Sequence, residues 1–147
     1  MSDLLLWKRL KSGDKKALET IYLQEIQFLL SYGKKISSNA PLVEDCVQDL
    51  FVELWRNRDG LSNTDSIRRY LIVSLRRKII RKISKRQKVQ SEKVPEEVDF
   101  EAELSIDTKL IAEELSAEQA AQLKVAFAQL SSRQQEAIYL KYYSGMD

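Results

Sequence analysis

A dense run of basic side chains is the feature of this sequence that could most directly do chemistry. From Arg68 to Lys88 there are ten Lys or Arg residues and no Asp or Glu. Like charges at this spacing repel one another, so they cost stability unless a polyanion or an acidic partner offsets them. Phosphate groups can do so, because their neutralisation releases counterions and supplies salt-dependent affinity. The run therefore favours nucleic-acid binding.

Other interpretations of the basic run stay open. Residues 92–118 carry ten Asp or Glu against two Lys, so this acidic block could fold back on the basic run. A solvated face without any partner is the simplest alternative. A basic amphipathic helix can also lie on a membrane, but here the apolar residues are needed for a small core, so we expect no membrane partner. For Tyr70 we favour a core or interface position over stacking on a base.

A second pattern lies just before the basic run, in a predicted helix that ends near Asn57. At about 100° per residue its apolar residues fall on one arc; they are Val43, Val47, Leu50, Phe51 and Leu54. The opposite side carries Asp45, Asp49, Val52 and Arg56, flanked by Gln48 and Trp55. A solvated face and a protein contact both fit this side, although aromatic residues are enriched at protein interfaces.

Composition bounds the fold and excludes several kinds of chemistry. The 147 residues are 44% hydrophobic and 31% charged, with four Gly and two Pro, which favours an all-α protein. The single cysteine, Cys46, excludes an intramolecular disulfide, and one cysteine without any His argues against a zinc site or a His-based dyad. No nucleophile motif or Gly-rich phosphate loop occurs. We therefore expect no enzyme activity, no metal and no cofactor, and a cytoplasmic location.

The elements that must position these residues can be predicted from spacing and caps. Residues 3–12 read as a helix with Leu4, Leu5, Trp7 and Leu10 as apolar positions, ended by Gly13. Asp14 caps a second helix over 15–37. Pro41 fits the first turn of the third helix. A loop over 58–65 follows, and Asp65 or Thr64 caps a fourth helix that reaches about Lys88.

The C-terminal part has a different composition. Residues 89–106 read as an acidic linker around Pro95. A helix is expected over 107–129, because Ala, Leu, Glu and Gln dominate there. Ser131 with Gln134, or Ser132 with Gln135, has the capping-box pattern that opens a last helix. That helix is expected to run to Ser144 and to stop at Gly145.

Four stretches of the chain resemble extracytoplasmic-function sigma factors of the sigma-70 family. The polymerase-binding helix of that family has an acid, two residues, Gln, an acid, one residue, Phe, and a Trp four residues later. The matching residues here are Asp45, Gln48, Asp49, Phe51 and Trp55. Tyr70 and Leu71 open a basic helix like the promoter-melting segment, and Gly13, Asp14 and Ala17 are similar to the family's opening. Residues 130–146 resemble the start of its second DNA-binding domain.

The sequence also departs from the family pattern. The family usually places Asn where Arg77 stands and often Asp where Arg81 stands, so base-specific contacts are not carried over to these positions. The chain ends at Asp147, before the helix-turn-helix that the family would have next. The resemblance therefore implies a piece truncated before that motif.

The resemblance implies a domain organisation and a set of partners. Residues 1–88 would form sigma region 2, residues 89–106 an acidic linker and residues 107–147 the start of region 4. The partners would be core RNA polymerase, the non-template single strand of the -10 promoter element and, as a further candidate, an anti-sigma factor. The chain would thus be a bacterial sigma factor that directs promoter recognition, DNA melting and transcription initiation.

The resemblance also assigns candidate site residues. Those implied to bind polymerase are Asp45, Gln48, Asp49, Val52, Trp55 and Arg56. Those implied to bind DNA are Ser62, Asn63, Thr64, Arg68, Arg69, Tyr70, Arg76, Arg77, Lys78, Arg81, Lys82 and Lys85. Two rival functions remain: a helical DNA-binding regulator that never binds polymerase, and a helical protein-interaction module without a nucleic-acid role.

Overall fold

The structure of the protein is a computed structural model, which describes residues 2–90 and 117–144. The helices are α1 (Asp3–Lys11), α2 (Lys15–Ile36), α3 (Ala40–Arg56), α4 (Ile67–Gln90), α5 (Ala117–Ala128) and α6 (Ser132–Ser144), with a 3-10 turn at Arg58–Gly60. No strand occurs in these two ranges, so the all-α prediction is confirmed. The chain divides into two compact units, one that contains α1 to α4 and one that contains α5 and α6.

The first two helices begin where the sequence predicted, and each ends one residue earlier than predicted. Gly13 has a φ of 94°, a left-handed conformation that glycine adopts without a steric penalty. The chain can therefore turn directly from α1 into α2. The Asp14 carboxylate accepts the backbone N–H of Lys16 at 3.0 Å, which satisfies a free donor of the first turn. Pro41 lies in the first turn of α3, as expected.

The start of α4 differs from the prediction. Neither Thr64 nor Asp65 caps it. Instead the Ser66 hydroxyl accepts the N–H of Arg69 at 3.3 Å, and the Ser66 carbonyl accepts the N–H of Tyr70 at 3.3 Å. The Thr64 hydroxyl accepts the N–H of Ser66 at 3.1 Å, so Thr64 shapes the turn that precedes the cap.

Three helices, α2, α3 and α4, enclose the core of the first unit. The five residues of the predicted α3 arc are all buried, together with Leu42 and Cys46. In α1 the prediction was partly wrong, because Leu4 and Leu5 are 40% and 50% exposed. Leu6 is buried instead, since it shares one side of the helix with Trp7 and Leu10.

A single glycine allows α2 and α3 to approach closely. A Cβ atom on Gly33 would lie 2.5 Å from Cγ1 of Val43 and 3.3 Å from Cδ1 of Ile79. Both of these side chains are fully buried. Gly33 therefore sets how closely α2 approaches α3 and, through Ile79, α4.

The second unit contains the predicted capping box. The backbone N–H of Ser131 donates to Oε1 of Gln134 at 3.0 Å, and the N–H of Gln134 donates back to the Ser131 hydroxyl at 3.2 Å. Both free donors at the start of α6 are thus satisfied reciprocally. The expected stop at Gly145, the first ten residues of the helix expected over 107–129 and most of the expected linker lie outside the described residues.

Candidate functional site

The outward side of α3 forms one candidate surface. We call Asp45, Gln48, Asp49, Val52, Trp55 and Arg56 the outer α3 surface. All of these side chains are exposed except that of Trp55, which is half-buried. Val52 is 49% exposed, so an apolar side chain lies among polar ones, and Trp55 is close along the helix. An apolar centre with a polar rim is the anatomy of a protein-binding surface.

Trp55 is held in place by a residue that the sequence did not reveal. The guanidinium carbon of Arg58 lies 4.1 Å from the centroid of the Trp55 ring, which is cation–π geometry. Nη1 of Arg58 also donates to the Trp55 carbonyl at 2.7 Å. Arg58 lies in the predicted loop just after the end of α3. Helical spacing does not apply to a loop, so the sequence gave no sign of this contact.

The α2-facing side of α4 carries a paired arginine. Nε of Arg68 donates to Oε2 of Glu25 at 2.7 Å, and its guanidinium lies 4.4 Å from the centroid of the Phe28 ring. The Glu25 side chain is only 11% exposed. Arg68 therefore neutralises a nearly buried carboxylate, which ties α4 to α2. Sequence reasoning missed Glu25, because its partner is 43 residues away.

The α3-facing side of α4 carries two paired lysines. Lys78 forms an ion pair with Glu53, and Nζ of Lys82 lies 3.2 Å from Oδ2 of Asp49. The two pairs are one helical turn apart and join α3 to α4. Asp49 thus belongs both to the outer α3 surface and to this connection. A phosphate at Lys78 or Lys82 would compete with a carboxylate.

The outward side of α4 is different. Positions 69, 73, 77, 81 and 85 recur every four residues, and all five side chains are exposed. Four of them are basic, and we call Arg69, Arg77, Arg81 and Lys85 the outward stripe. None of the four has an ion pair within the part of the chain that the structure describes. Arg76, which is half-buried, does interact within the chain.

The loop before α4 is tied to α1. The indole N–H of Trp7 donates to the carbonyl of Ser62 at 2.8 Å, and Nζ of Lys11 donates to Oδ1 of Asn63 at 3.2 Å. The Tyr70 ring packs on Trp7 with centroids 5.0 Å apart. Tyr70 is half-buried, which agrees with the interface position favoured from the sequence. The side chains of Ser62 and Asn63 remain exposed.

Cys46 is a packing residue of α3. The side chain is fully buried, and burial raises the pKa of its thiol above the ordinary value of 9.0. Within residues 2–90 and 117–144 no cluster of acidic, Cys or His residues could hold a metal ion. No helix in these ranges is long and apolar enough to cross a membrane.

Comparison with known proteins finds one similarity, which lies in the first unit. Residues 21–89, a little under half of the chain, match the family model described as Sigma-70 region 2. No curated protein and no solved structure matches the chain. The matched residues include most of α2, the whole of α3 and nearly all of α4. The helices that these residues form are thus similar to sigma-70 region 2, and this similarity supports a relationship to the sigma-70 family of sigma factors.

Proposed function

We propose that the chain is a bacterial sigma factor of the extracytoplasmic-function type, which acts in the cytoplasm. It binds core RNA polymerase through the outer α3 surface and the -10 promoter element through the outward stripe and the loop before α4. The observation that carries this proposal is the presence of two separate surfaces on adjacent helices that are similar to sigma-70 region 2. One surface is mixed acidic and apolar, whereas the other is basic and without ion-pair partners among the described residues.

The outer α3 surface supports a protein partner more than a nucleic-acid partner. Asp45 and Asp49 carry negative charge, which a phosphate backbone would repel. Val52 and the Trp55 ring offer apolar area, and Arg58 fixes that ring before binding. A prefixed aromatic side chain loses little entropy on binding, so it suits the centre of an interface.

A charge reversal in this surface tests the polymerase contact. Asp49→Lys combined with Trp55→Ala should abolish co-purification with core RNA polymerase while the far-ultraviolet circular dichroism spectrum stays helical. Glu19→Lys is the matched control, because Glu19 is exposed on α2 and lies outside the outer α3 surface. Unchanged capture of polymerase by the double variant would rule out this role for the surface.

The outward stripe supports contact with the phosphate backbone of DNA. Each Lys or Arg that neutralises a phosphate contributes to the salt dependence of binding. Arg77 and Arg81 occupy its middle, where the family usually has other residue types, so we assign them phosphate contacts and not base reading. The loop supplies polar side chains, Ser62 and Asn63, that a base removed from its stack could contact.

The acidic block, residues 92–118, is proposed to screen the basic helix when DNA is absent. The proposal rests on charge alone, since residues 91–116 lie outside the described part of the chain. If the block competes with DNA, its deletion should raise the affinity for single-stranded DNA. An unchanged affinity would remove this part of the proposal.

Residues 107–147 are proposed to be the start of sigma region 4, with an acidic linker over 89–106. The capping box at Ser131 and the two helices α5 and α6 support this assignment. Fork-junction promoter DNA separates the whole proposal from its rivals. A sigma factor binds this DNA more tightly when core polymerase is present, a regulator binds it equally well with and without polymerase, and a protein-interaction module does not bind it under either condition.

A further inference from the structure

Helix α1 lies before residue 21, so the family match assigns it no role. Three of its side chains, Asp3, Trp7 and Lys11, are spaced four residues apart and share one side of the helix. All three contact residues between 62 and 67. Oδ2 of Asp3 accepts the backbone N–H of Ile67 at 3.0 Å, at the first turn of α4. One side of α1 therefore runs along the whole loop that precedes α4.

Trp7 makes the most buried of these contacts. Its side chain is fully buried, and its N–H satisfies the carbonyl of Ser62. The Tyr70 ring packs against its indole. Trp7 therefore contacts both the loop, through Ser62, and the first turn of α4, through Tyr70. The position of the loop backbone thus depends on α1, more than fifty residues earlier in the sequence.

Lys11 determines which way the Asn63 amide faces. A lysine ammonium has three donors and no acceptor, so only Oδ1 of Asn63 can pair with it, as the structure shows. The amide NH2 group then remains to donate to another molecule. Next to it lies the Lys11 ammonium, which is also only a donor. The exposed group at Asn63 is thus biased toward donating hydrogen bonds.

We propose that α1 is a positioning element for base selection, in which Lys11 makes Asn63 a hydrogen-bond donor. At the base edge where guanine carries O6 and thymine carries O4, a site that only donates hydrogen bonds is satisfied, whereas the N6 amino group of adenine and the N4 amino group of cytosine are donors and are disfavoured there. The loop therefore selects a keto base in single-stranded DNA. This inference rests on the proposed function, because it needs the loop to face DNA.

The test uses the full chain and a library of random-sequence single-stranded DNA, from which the bound fraction is sequenced. The wild-type protein should enrich keto over amino bases at one position, by roughly tenfold if the contact resembles other base-reading contacts. Lys11→Met frees the amide to rotate, so the enrichment should fall to near one. Lys8→Met removes the same charge from an exposed position of α1 whose side chain has no hydrogen bond or ion pair to the loop among the described residues, and it should keep the enrichment.

Two further variants make the test sharper. Asn63→Asp presents an acceptor beside Lys11, so the preference should move toward amino bases. Trp7→Phe keeps an aromatic ring but removes the N–H that holds Ser62, so the enrichment should weaken while the salt dependence of total binding stays the same. Circular dichroism and a melting curve confirm that each variant is folded.

The outcomes separate this inference from the proposed function. If the wild-type protein shows no salt-dependent binding to the library, both are wrong. If it binds and selects a base, and Lys11→Met keeps the selection, only the positioning role of α1 is wrong. If Lys11→Met and Lys8→Met lost equal amounts of total affinity and both kept the base preference, the positioning role would also be wrong. Lys11 would then contribute only its positive charge to DNA binding.

Discussion

Helix α4 carries basic residues both on its flanks and on its outward side, but only those on the flanks have ion-pair partners among the described residues. On its flanks, Arg68, Lys78 and Lys82 pair with carboxylates of α2 and α3. On its outward side, the exposed basic residues of the outward stripe have no such partner among the described residues. The flanking charges are paired within the fold, whereas the outward charges face solvent.

This difference changes what the basic run means. Ten Lys and Arg residues in the sequence suggest one strongly cationic surface. Three of them are neutralised by carboxylates that come from elsewhere in the chain, so the surface available to phosphate is narrower than the count implies. The free energy of repulsion along α4 is correspondingly lower. Stability and binding should therefore respond to different residues of one helix.

The largest effect on stability is expected when the Arg68 pair is broken. Arg68→Met leaves the Glu25 carboxylate nearly buried without its partner, which should lower the free energy of unfolding by about 2 kcal/mol. This lies below the usual cost for a fully buried pair, because the Arg68 side chain is 29% exposed. Urea unfolding followed by circular dichroism measures it.

Arg69→Met is the matched control for that change. Arg69 is the next residue along α4 and is exposed, so its substitution should alter stability by less than about 0.5 kcal/mol. Adding Glu25→Gln to Arg68→Met should restore part of the loss, because no unpaired charge then remains. Equal effects of Arg68→Met and Arg69→Met would contradict the distinction between flank and outward side.

A smaller loss of stability is expected from Gly33→Ala. This change tests the helix packing that places the basic residues on the flanks of α4 next to the carboxylates of α2 and α3. An added methyl in a helix interior normally stabilises by about 0.5–1 kcal/mol. Here it would overlap the buried Val43 side chain, so overpacking should reverse the sign and destabilise by roughly 1–2 kcal/mol. Thermal unfolding measures the change.

Gly60→Ala provides the control for the packing prediction. No atom lies within 4 Å of the position where its Cβ would be, so we expect no loss of stability. If Gly33→Ala proved as neutral as Gly60→Ala, the close approach of α2 and α3 would be wrong. The ion pairs of Lys78 and Lys82 with carboxylates of α3 would then need another explanation.

The smallest effect concerns a partly exposed pair, Arg9 with Asp14, in which Nη2 of Arg9 lies 2.6 Å from Oδ2 of Asp14. The hydrogen bond from Arg9 holds the pKa of Asp14 below its ordinary value of 3.8, and the N–H of Lys16 adds to this. The folded protein then binds fewer protons at Asp14 than the unfolded chain does. The contribution of Asp14 is therefore present above pH 3.8 and is lost as the pH falls through the folded-state pKa.

Asp14→Asn tests this sign, because Asn can still cap α2. The difference in urea midpoint between the wild-type protein and this variant should shrink as the pH is lowered from 5 through 3.8 and below. A difference that stays constant over this range would mean that the Asp14 charge contributes nothing. The effect should be well below that of Arg68, since the Asp14 side chain is 28% exposed, whereas that of Glu25 is only 11% exposed.

The sequence predicted local features well, since these depend on neighbours along the chain. The buried arc of α3, the Asp14 cap and the Ser131 capping box were all predicted, because helical period and capping chemistry act over three or four residues. The start of α4 was missed by one or two residues, since Ser, Thr and Asp at 64–66 are all competent caps. Their choice depends on the turn geometry, which the sequence does not show.

Contacts between residues far apart in the chain could not be predicted from the sequence. Glu25 looks like an ordinary surface residue of α2, and only the fold brings it to Arg68. The same holds for Trp7 and the loop carbonyl of Ser62. The sequence showed that the residues of the outward stripe are basic. It could not show that Lys78 and Lys82 differ from them, because only the packing of α3 against α4 brings carboxylates to these two lysines.

The central claim is that the outward side of α4, and not its α3-facing flank, binds nucleic acid. Two charge-matched variants test it: Arg77→Gln with Arg81→Gln, and Lys78→Gln with Lys82→Gln. Fluorescence anisotropy of a single-stranded DNA, titrated at several NaCl concentrations, gives the slope of log affinity against log salt. The outward pair should lower the magnitude of this slope by about 1.4, at roughly 0.7 per phosphate contact, while the flank pair should leave it unchanged. Equal reductions in the two variants, or a reduction confined to the flank pair, would contradict the account.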